Sequence, residues 1–156
     1  MIFVCDIMLG KLARYLRMLG LDTRYARSNS FPFPSGPEGR EVIFFTRKRE
    51  VPEAGVKTVF IDTDDPAEQL RLIRPYIDAH VDPGALMSRC LGCNALLADV
   101  PRNEIEQFVP EYIYHHHDRF KWCPSCRKVY WEGSHARNMR ASLKDIMGAG
   151  QETEGG

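Results

Sequence analysis

Two Cys-x-x-Cys pairs constrain this chain more than any other feature. Cys90 is paired with Cys93 and Cys123 with Cys126, and 29 residues separate the pairs. Zn²⁺ prefers four tetrahedral ligands of nitrogen or sulfur type, and a site made only of cysteine leaves no position for water or substrate. The spacing therefore predicts one structural zinc site. Two disulfides or two thioredoxin-like redox motifs are the alternatives, but neither pair follows a strand in a βαβ pattern.

The size and hydrophobicity of the chain bound its class. A length of 156 residues with 44% hydrophobic content suits one medium soluble domain or two small ones. No apolar stretch approaches the ~20 residues of a membrane span, and the first residues lack the basic and apolar regions of a signal peptide. We therefore expect a cytoplasmic protein with no membrane partner, since a reducing compartment keeps thiolates available for metal. Nothing in the sequence indicates an oligomeric state.

Charge is segregated along the chain, although the formal net charge is zero. Residues 1–27 carry five Lys and Arg against two Asp and Glu, residues 28–118 carry nine against fifteen, and residues 119–144 carry seven against one. Both ends are therefore basic, which favours a polyanionic partner such as RNA or a ribonucleoprotein. The predicted RNA contacts are Lys11, Arg14, Arg17, Lys121, Arg127, Lys128 and His135.

Four aromatic residues lie among the C-terminal cations, namely Phe120, Trp122, Tyr130 and Trp131. Rings beside cations favour single-stranded nucleic acid, because bases stack on the rings while phosphates contact the charges. The alternative is that the rings pack around the zinc site and the cations are only solvated.

The histidines also have open interpretations. The run His115, His116 and His117 resembles a metal site, but four cysteines already complete the zinc site, so the run is predicted to be an exposed, partly stacked loop and a possible RNA contact. His135 opens the last predicted helix, where it either faces a phosphate or packs beside Trp131.

The first eighty residues alternate strands and helices. Strands are predicted over residues 1–5, 23–26, 41–46 and 56–61, and helices over residues 8–20 and after an N-cap at Asp65. The first helix places leucines on one face and Lys11, Arg14 and Arg17 on the other, so one face is core and the other basic. Cys5 lies in an apolar strand and is predicted to be a core residue. Strands that alternate with helices imply a parallel sheet with flanking helices.

Seven segments match the motifs of a known family, namely residues 6–23, 44–47, 64–66, 68–70, 90–94, 122–126 and 129–135, which together span most of the chain. In these segments the chain resembles the Mut-seven C-terminal RNAse family. It implies an α/β fold, in which a PIN-like parallel sheet with flanking helices is followed by a small zinc-ribbon domain. The implied limits are 1–82 for the PIN-like domain, with a shortened Pro-rich loop at 28–40, and 86–147 for the zinc ribbon with a C-terminal helix over 135–147. A disordered tail is expected at 149–156.

The resemblance also implies metal-dependent RNA cleavage, in which carboxylates at the ends of parallel strands hold Mg²⁺ or Mn²⁺. Asp6 matches the first family acid, and the candidates to complete a catalytic cluster with it are Glu50, Asp62, Asp64 and Asp65. The Pro-rich loop replaces the helix that carries the second family acid, and Lys48 stands at the position of the third. Fewer carboxylates and a nearby ammonium group weaken binding of a hard cation.

We therefore predict an RNA-binding, PIN-like protein with a structural zinc site and a weakened or lost nuclease site. Mg²⁺ or Mn²⁺ is expected only if the chain is catalytically active. The alternatives are an active Mg²⁺- or Mn²⁺-dependent endoribonuclease, and a protein-interaction module in which the zinc site is only architectural.

Overall fold

The computed structural model describes residues 1–26, 41–49 and 56–131, together with Arg137, Ala141 and Lys144. The predicted Pro-rich loop, Glu50, His135 and the predicted C-terminal tail lie outside the described residues. Of the predicted last helix, the three described residues are helical and exposed. The chain divides into two compact units, Met1–Asn94 and Ala95–Gly156.

A four-stranded parallel sheet forms the centre of the first unit. Its strands are β1 (Ile2–Asp6), β2 (Thr23–Ala26), β3 (Val42–Thr46) and β4 (Lys57–Phe60). They pair in the order β2-β1-β3-β4, and every pair is parallel. Because the strands are parallel, their carboxyl ends meet at one edge of the sheet. Each strand lies within one residue of its predicted limits, and the predicted mixed α/β class with a parallel sheet is confirmed.

Two helices flank the sheet, α1 (Gly10–Met18) and α2 (Pro66–Ile77), and a 3-10 turn at Ile7–Leu9 leads into α1. Asp65 caps α2 as predicted, since its carboxylate accepts a hydrogen bond from the Ala67 amide at 3.2 Å. Gly20 ends the segment after α1 with a φ of +81°, and a Cβ there would lie 2.3 Å from the Ala85 carbonyl oxygen. The predicted leucine stripe of α1 is buried, comprising Leu9, Leu12, Leu16 and Leu19.

Aromatic and sulfur-containing side chains fill the core between the sheet and its helices. The rings of Phe3 and Phe45 stack with their centroids 5.9 Å apart, and Tyr76 of α2 meets the Phe45 ring edge to face. Cys5 is fully buried, as predicted. Burial raises the pKa of its thiol far above the ordinary value, and the adjacent Asp6 carboxylate raises it further. Cys5 is therefore an inert core residue.

The second unit contains a three-stranded antiparallel sheet and one short helix. The strands β5 (Ala98–Val100), β6 (Phe120–Trp122) and β7 (Val129–Tyr130) pair in that order, and α3 covers Glu111–His116. The segment between β5 and α3 forms two 3-10 turns, Arg102–Glu104 and Glu106–Phe108. Pro101 and Pro110 flank this segment and limit its extension into a longer helix.

The small core of the second unit is built on Ile105, Val109 and Phe120, with Trp131 packed against it. None of the helices in the described part of the chain is both long and apolar enough to cross a membrane.

Candidate functional site

The four predicted zinc ligands lie together. The Sγ atoms of Cys90, Cys93, Cys123 and Cys126 are all within 4.8 Å of one another. Four sulfurs at the corners of a tetrahedron around zinc, with Zn–S of about 2.3 Å, would be about 3.8 Å apart. Four thiolates suit a zinc ion and not a hard ion such as Mg²⁺. The cysteine cluster is therefore a candidate site for a metal such as zinc, as the spacing predicted.

Both Cys-x-x-Cys segments form the same backbone turn. The Asn94 amide donates to the Cys90 carbonyl and the Arg127 amide donates to the Cys123 carbonyl, each at 2.8 Å. The residue after each second cysteine has a left-handed backbone, with φ of +74° at Asn94 and +60° at Arg127. In the second segment the Cys126 amide also points at the Cys123 sulfur, at 3.3 Å. A donor to sulfur favours the thiolate, which is the form that binds metal.

The side chain of Asn94 links the first turn to the start of β2. Its amide nitrogen donates to Asp22 Oδ1 at 2.7 Å, and its oxygen accepts from the Thr23 amide at 2.9 Å. Arg89 donates to the carbonyls of Gly20 and Asn94, both at 3.0 Å. The first cysteine pair is thus held by polar side chains that surround it.

We expect Asn94→Ala to lower the free energy of unfolding by about 2–4 kcal/mol, because it removes one hydrogen bond to a carboxylate and leaves the Thr23 amide without its acceptor. Arg127→Ala is the matched control, since Arg127 has the same left-handed backbone and its exposed side chain makes no hydrogen bond within the described part of the chain. Its effect should stay within about 1 kcal/mol. Denaturant unfolding of both variants measures the difference, and equal losses would contradict the role assigned to the Asn94 side chain.

Arg17 does not lie on an exposed basic face, and this corrects the sequence-based placement. The residue is 3% exposed, its Nε donates to the Thr23 carbonyl at 3.0 Å, and its Nη1 donates to the Leu91 carbonyl at 2.8 Å. The guanidinium also lies 5.0 Å from the centre of the Tyr25 ring. The helical pattern was misleading because the segment containing Leu91 covers this side of α1. The burial of Arg17 removes it from any surface open to a phosphate.

The remaining predicted basic contacts in the described residues are on the surface. Lys11 and Arg14 are exposed on α1, and Lys121, Arg127 and Lys128 are exposed on and beside β6 and β7. Lys121 is paired with Tyr130 across the sheet on one side and with Asp99 on the other.

The predicted aromatic platform is reduced by packing. Phe120 is 3% exposed in the core of the second unit, and Trp131 packs against that core. These two rings therefore belong to the packing of the second unit and are not open stacking surfaces; packing around the cysteine cluster stays a prediction. Trp122 is partly buried, whereas Tyr130 shares the outer face of the sheet with Lys121.

Asp6 lies at the carboxyl edge of the sheet, where the family resemblance placed it. Its Oδ1 accepts from the Met8 amide at 2.7 Å. Its Oδ2 accepts from the Thr46 hydroxyl at 2.5 Å and from the Arg47 amide at 2.8 Å. The residue is 2% exposed. The carboxylate thus accepts hydrogen bonds from three donors within the protein and caps the turn that follows β1.

Among the described residues, Asp62 and Asp64 form no group of three or more metal-ligating side chains with Asp6. Asp62 and Asp64 are exposed on the segment between β4 and α2. Across residues 1–26, 41–49 and 56–131, the four cysteines are the only gathered group of three or more His, Cys, Asp or Glu side chains. The catalytic roles of Asp6, Asp62 and Asp64 therefore remain predictions.

The histidine run is partly helical, which differs from the predicted loop. His115 and His116 end α3, and both are exposed. The His116 ring stacks on Tyr112 at 4.1 Å between centroids, and the His115 ring lies 3.7 Å from a Glu111 carboxylate oxygen. Neighbours one helical turn away account for both orientations.

Sequence reasoning missed Asn94 and Arg47. For Asn94 a signal was present, since asparagine is enriched in the left-handed conformation that a Cys-x-x-Cys turn needs at its end. For Arg47 no local signal exists. Its Nε is buried and makes no hydrogen bond to the described residues. The burial of this atom depends on tertiary packing and cannot be read from neighbouring residues.

Comparison with known proteins agrees with the sequence resemblance. The model of the Mut7-C RNAse domain matches residues 1–143. The matched range contains the parallel sheet, the antiparallel sheet and all four clustered cysteines. Searches of curated proteins and of solved structures gave no match.

Proposed function

This chain belongs to the Mut7-C RNAse domain family, and we propose that it is an RNA-binding member with a weakened or lost metal-dependent nuclease site. The observation that carries the proposal is the hydrogen bonding of the Asp6 carboxylate. Three internal donors surround its carboxylate, and no other carboxylate in the described part of the chain completes a metal-binding group with it.

The argument against efficient catalysis is electrostatic and geometric. Mg²⁺ needs near-octahedral oxygen ligands, and it is usually bound through carboxylates as well as water and phosphate. Lys48 follows directly on the segment that contacts Asp6, and an ammonium group in that region opposes the approach of a divalent cation. A site of this kind should stay largely unfilled at ordinary magnesium concentrations.

The cysteine cluster supports a structural role for zinc. Cys90, Cys93, Cys123 and Cys126 would hold the ion, and four sulfur ligands leave no open position for water or substrate. Zinc bound there contributes folding free energy and takes no part in cleavage.

The support for RNA binding comes from the family and from exposed charge. Lys11 and Arg14 form a basic patch on α1, and Lys121 with Tyr130 offers a cation beside a ring on the second unit. Such pairs suit the backbone and bases of single-stranded RNA. Asp99, on the other side of Lys121, reduces the local positive potential, so we expect moderate affinity.

We expect Lys11→Ala and Arg14→Ala each to weaken RNA binding about fivefold at ~0.1 M salt and to reduce the slope of log K against log salt by about 0.7, as expected for one phosphate contact on a single strand. Arg71→Ala is the matched control, because Arg71 is an exposed cation on α2. Fluorescence anisotropy with labelled RNA over a range of salt concentrations measures both quantities. Absence of RNA binding by the wild-type chain would favour the protein-interaction module instead.

A cleavage assay separates the proposal from an active nuclease. Wild-type protein with Mn²⁺ should hydrolyse labelled RNA no faster than buffer. Lys48→Asp restores a carboxylate where the family resemblance expects one, so this variant should hydrolyse RNA faster than the wild type. Fast hydrolysis by the wild type that requires Mn²⁺ and stops in EDTA would support the endoribonuclease alternative.

A further inference from the structure

We propose that the carboxyl edge of the parallel sheet binds the phosphodiester backbone of single-stranded RNA directly through Arg47, Lys48 and Arg49, with no metal ion between protein and phosphate. This inference rests on the proposed RNA binding and adds a contact surface to it. The surface lies at the edge that the family resemblance assigns to metal-binding acids.

Asp6 organises this edge. One carboxylate oxygen accepts from the Met8 amide in the turn after β1, and the other accepts from the Arg47 amide in the turn after β3. The Lys48 amide donates to the Thr46 hydroxyl at 3.0 Å, and the same hydroxyl donates to Asp6. The start of the basic turn is therefore fixed by hydrogen bonds to side chains of β1 and β3.

Arg47 is the cation of this turn that lies deepest in the edge. Its Nε is buried and has no hydrogen-bond acceptor among the residues that the structure describes. A buried donor without an acceptor is destabilising, because it has lost its hydrogen bond to water and gained none in the protein. The Nε is itself shielded from solvent, but Arg47 as a whole is only partly buried. A phosphate would therefore contact the outer nitrogens of the guanidinium group, which form charge-assisted hydrogen bonds with phosphate oxygens.

Surfaces for bases lie next to the cations. The Arg49 guanidinium is 5.2 Å from the centre of the Phe60 ring, and Phe60 is 41% exposed at the end of β4. Ile7 and Met8, in the turn held by Asp6, are 60% and 56% exposed. Exposed apolar side chains beside cations can stack or pack against unstacked bases, which is more favourable than their contact with water.

Two acids oppose the proposed contact. Asp62 and Asp64 are exposed on the segment after β4, at the same edge. The charge of Asp6 is different in kind, because it is buried and accepts from three internal donors. If phosphate binds here without metal, removing an exposed acid should strengthen binding, whereas a metal-mediated contact would be weakened by the same change.

The test measures binding of a labelled oligouridine of about 12 nucleotides, a length in the usual site-size range. EDTA is added to the zinc-loaded protein shortly before each measurement, so that Mg²⁺ and Mn²⁺ are removed while the protein's exposure to the chelator stays brief. Arg47→Gln and Lys48→Gln should each weaken binding about fivefold at ~0.1 M salt and lower the salt slope by about 0.7. Arg71→Gln is the matched control on α2. Asp64→Asn should strengthen binding. Circular dichroism and zinc content check that each variant is folded, and Lys48→Gln keeps the test decisive if Arg47→Gln is unstable.

The outcomes separate the two proposals. Wild-type protein that fails to bind the oligouridine overturns the proposed function and this inference together. Wild-type binding that survives in Lys48→Gln and Arg47→Gln as well as in Arg71→Gln overturns this inference alone. Binding that requires added Mg²⁺, or that Asp64→Asn weakens, shows a metal-mediated contact and also overturns it. Equal competition by polyglutamate would indicate an acidic protein partner and reject RNA as the ligand of this edge.

Discussion

Cys123→Ser will abolish stoichiometric zinc binding and unfold the second unit. Structural zinc contributes about 10–16 kcal/mol in zinc-finger peptides, which is as large as the whole stability of a typical domain, about 5–15 kcal/mol. We expect wild-type protein to contain about one zinc per chain and the variant to contain little. Elemental analysis measures the metal. Tryptophan fluorescence reports on the fold of the second unit, because both tryptophans, Trp122 and Trp131, lie within it.

Cys5→Ala is the control for loss of a buried cysteine without loss of a ligand. Cys5 is fully buried in β1 and lies outside the cysteine cluster. This variant should keep its zinc and show only a modest loss of stability from the removed sulfur. Full zinc content in Cys123→Ser, or a folded wild-type chain that holds disulfides in place of zinc, would show that the metal assignment is wrong.

Asp6→Asn will lower the free energy of unfolding by about 2–4 kcal/mol, an effect of structure and not of catalysis. The carboxylate accepts from the Met8 amide, the Thr46 hydroxyl and the Arg47 amide. An asparagine offers only one oxygen, so its NH₂ group must face donors on one side and leave buried polar groups unsatisfied. Urea unfolding of the zinc-loaded protein measures the loss.

Asp64→Asn provides the matched control for Asp6→Asn. The same chemical change at this exposed position should alter stability by no more than about 0.5 kcal/mol. With Mn²⁺ and labelled RNA, wild type and Asp6→Asn should be equally inactive when compared at equal folded fractions. Robust wild-type cleavage that disappears in folded Asp6→Asn would instead identify Asp6 as a metal ligand.

Local patterns in the sequence were sufficient for the secondary structure of the first unit. The strand ending at Asp6, the leucine stripe of α1 and the cap at Asp65 all depend on neighbours a few residues apart, and the structure agrees with each prediction. The cysteine cluster was predictable for a related reason. Metal coordination restricts both the residue type and the spacing within each pair, so the ligands can be identified although the pairs are far apart in the chain.

The roles of single charged residues depended on contacts between distant segments. Helical spacing placed Arg17 beside Lys11 and Arg14, but the Leu91 carbonyl, 74 residues away in sequence, accepts from its guanidinium and holds it in the interior. Asp6 was predictable as an acid at a strand end, whereas its three donors come from the turn after β1, from the last residue of β3 and from the residue that follows β3. Periodicity in the sequence specifies which face of a helix or strand is apolar. The hydrogen-bond donors and acceptors around a charged side chain come from segments far away in the sequence, so they are known only from the folded structure. That is why the strands and zinc ligands could be predicted from the sequence, while the burial of Arg17 and the hydrogen bonds of Asp6 required the fold.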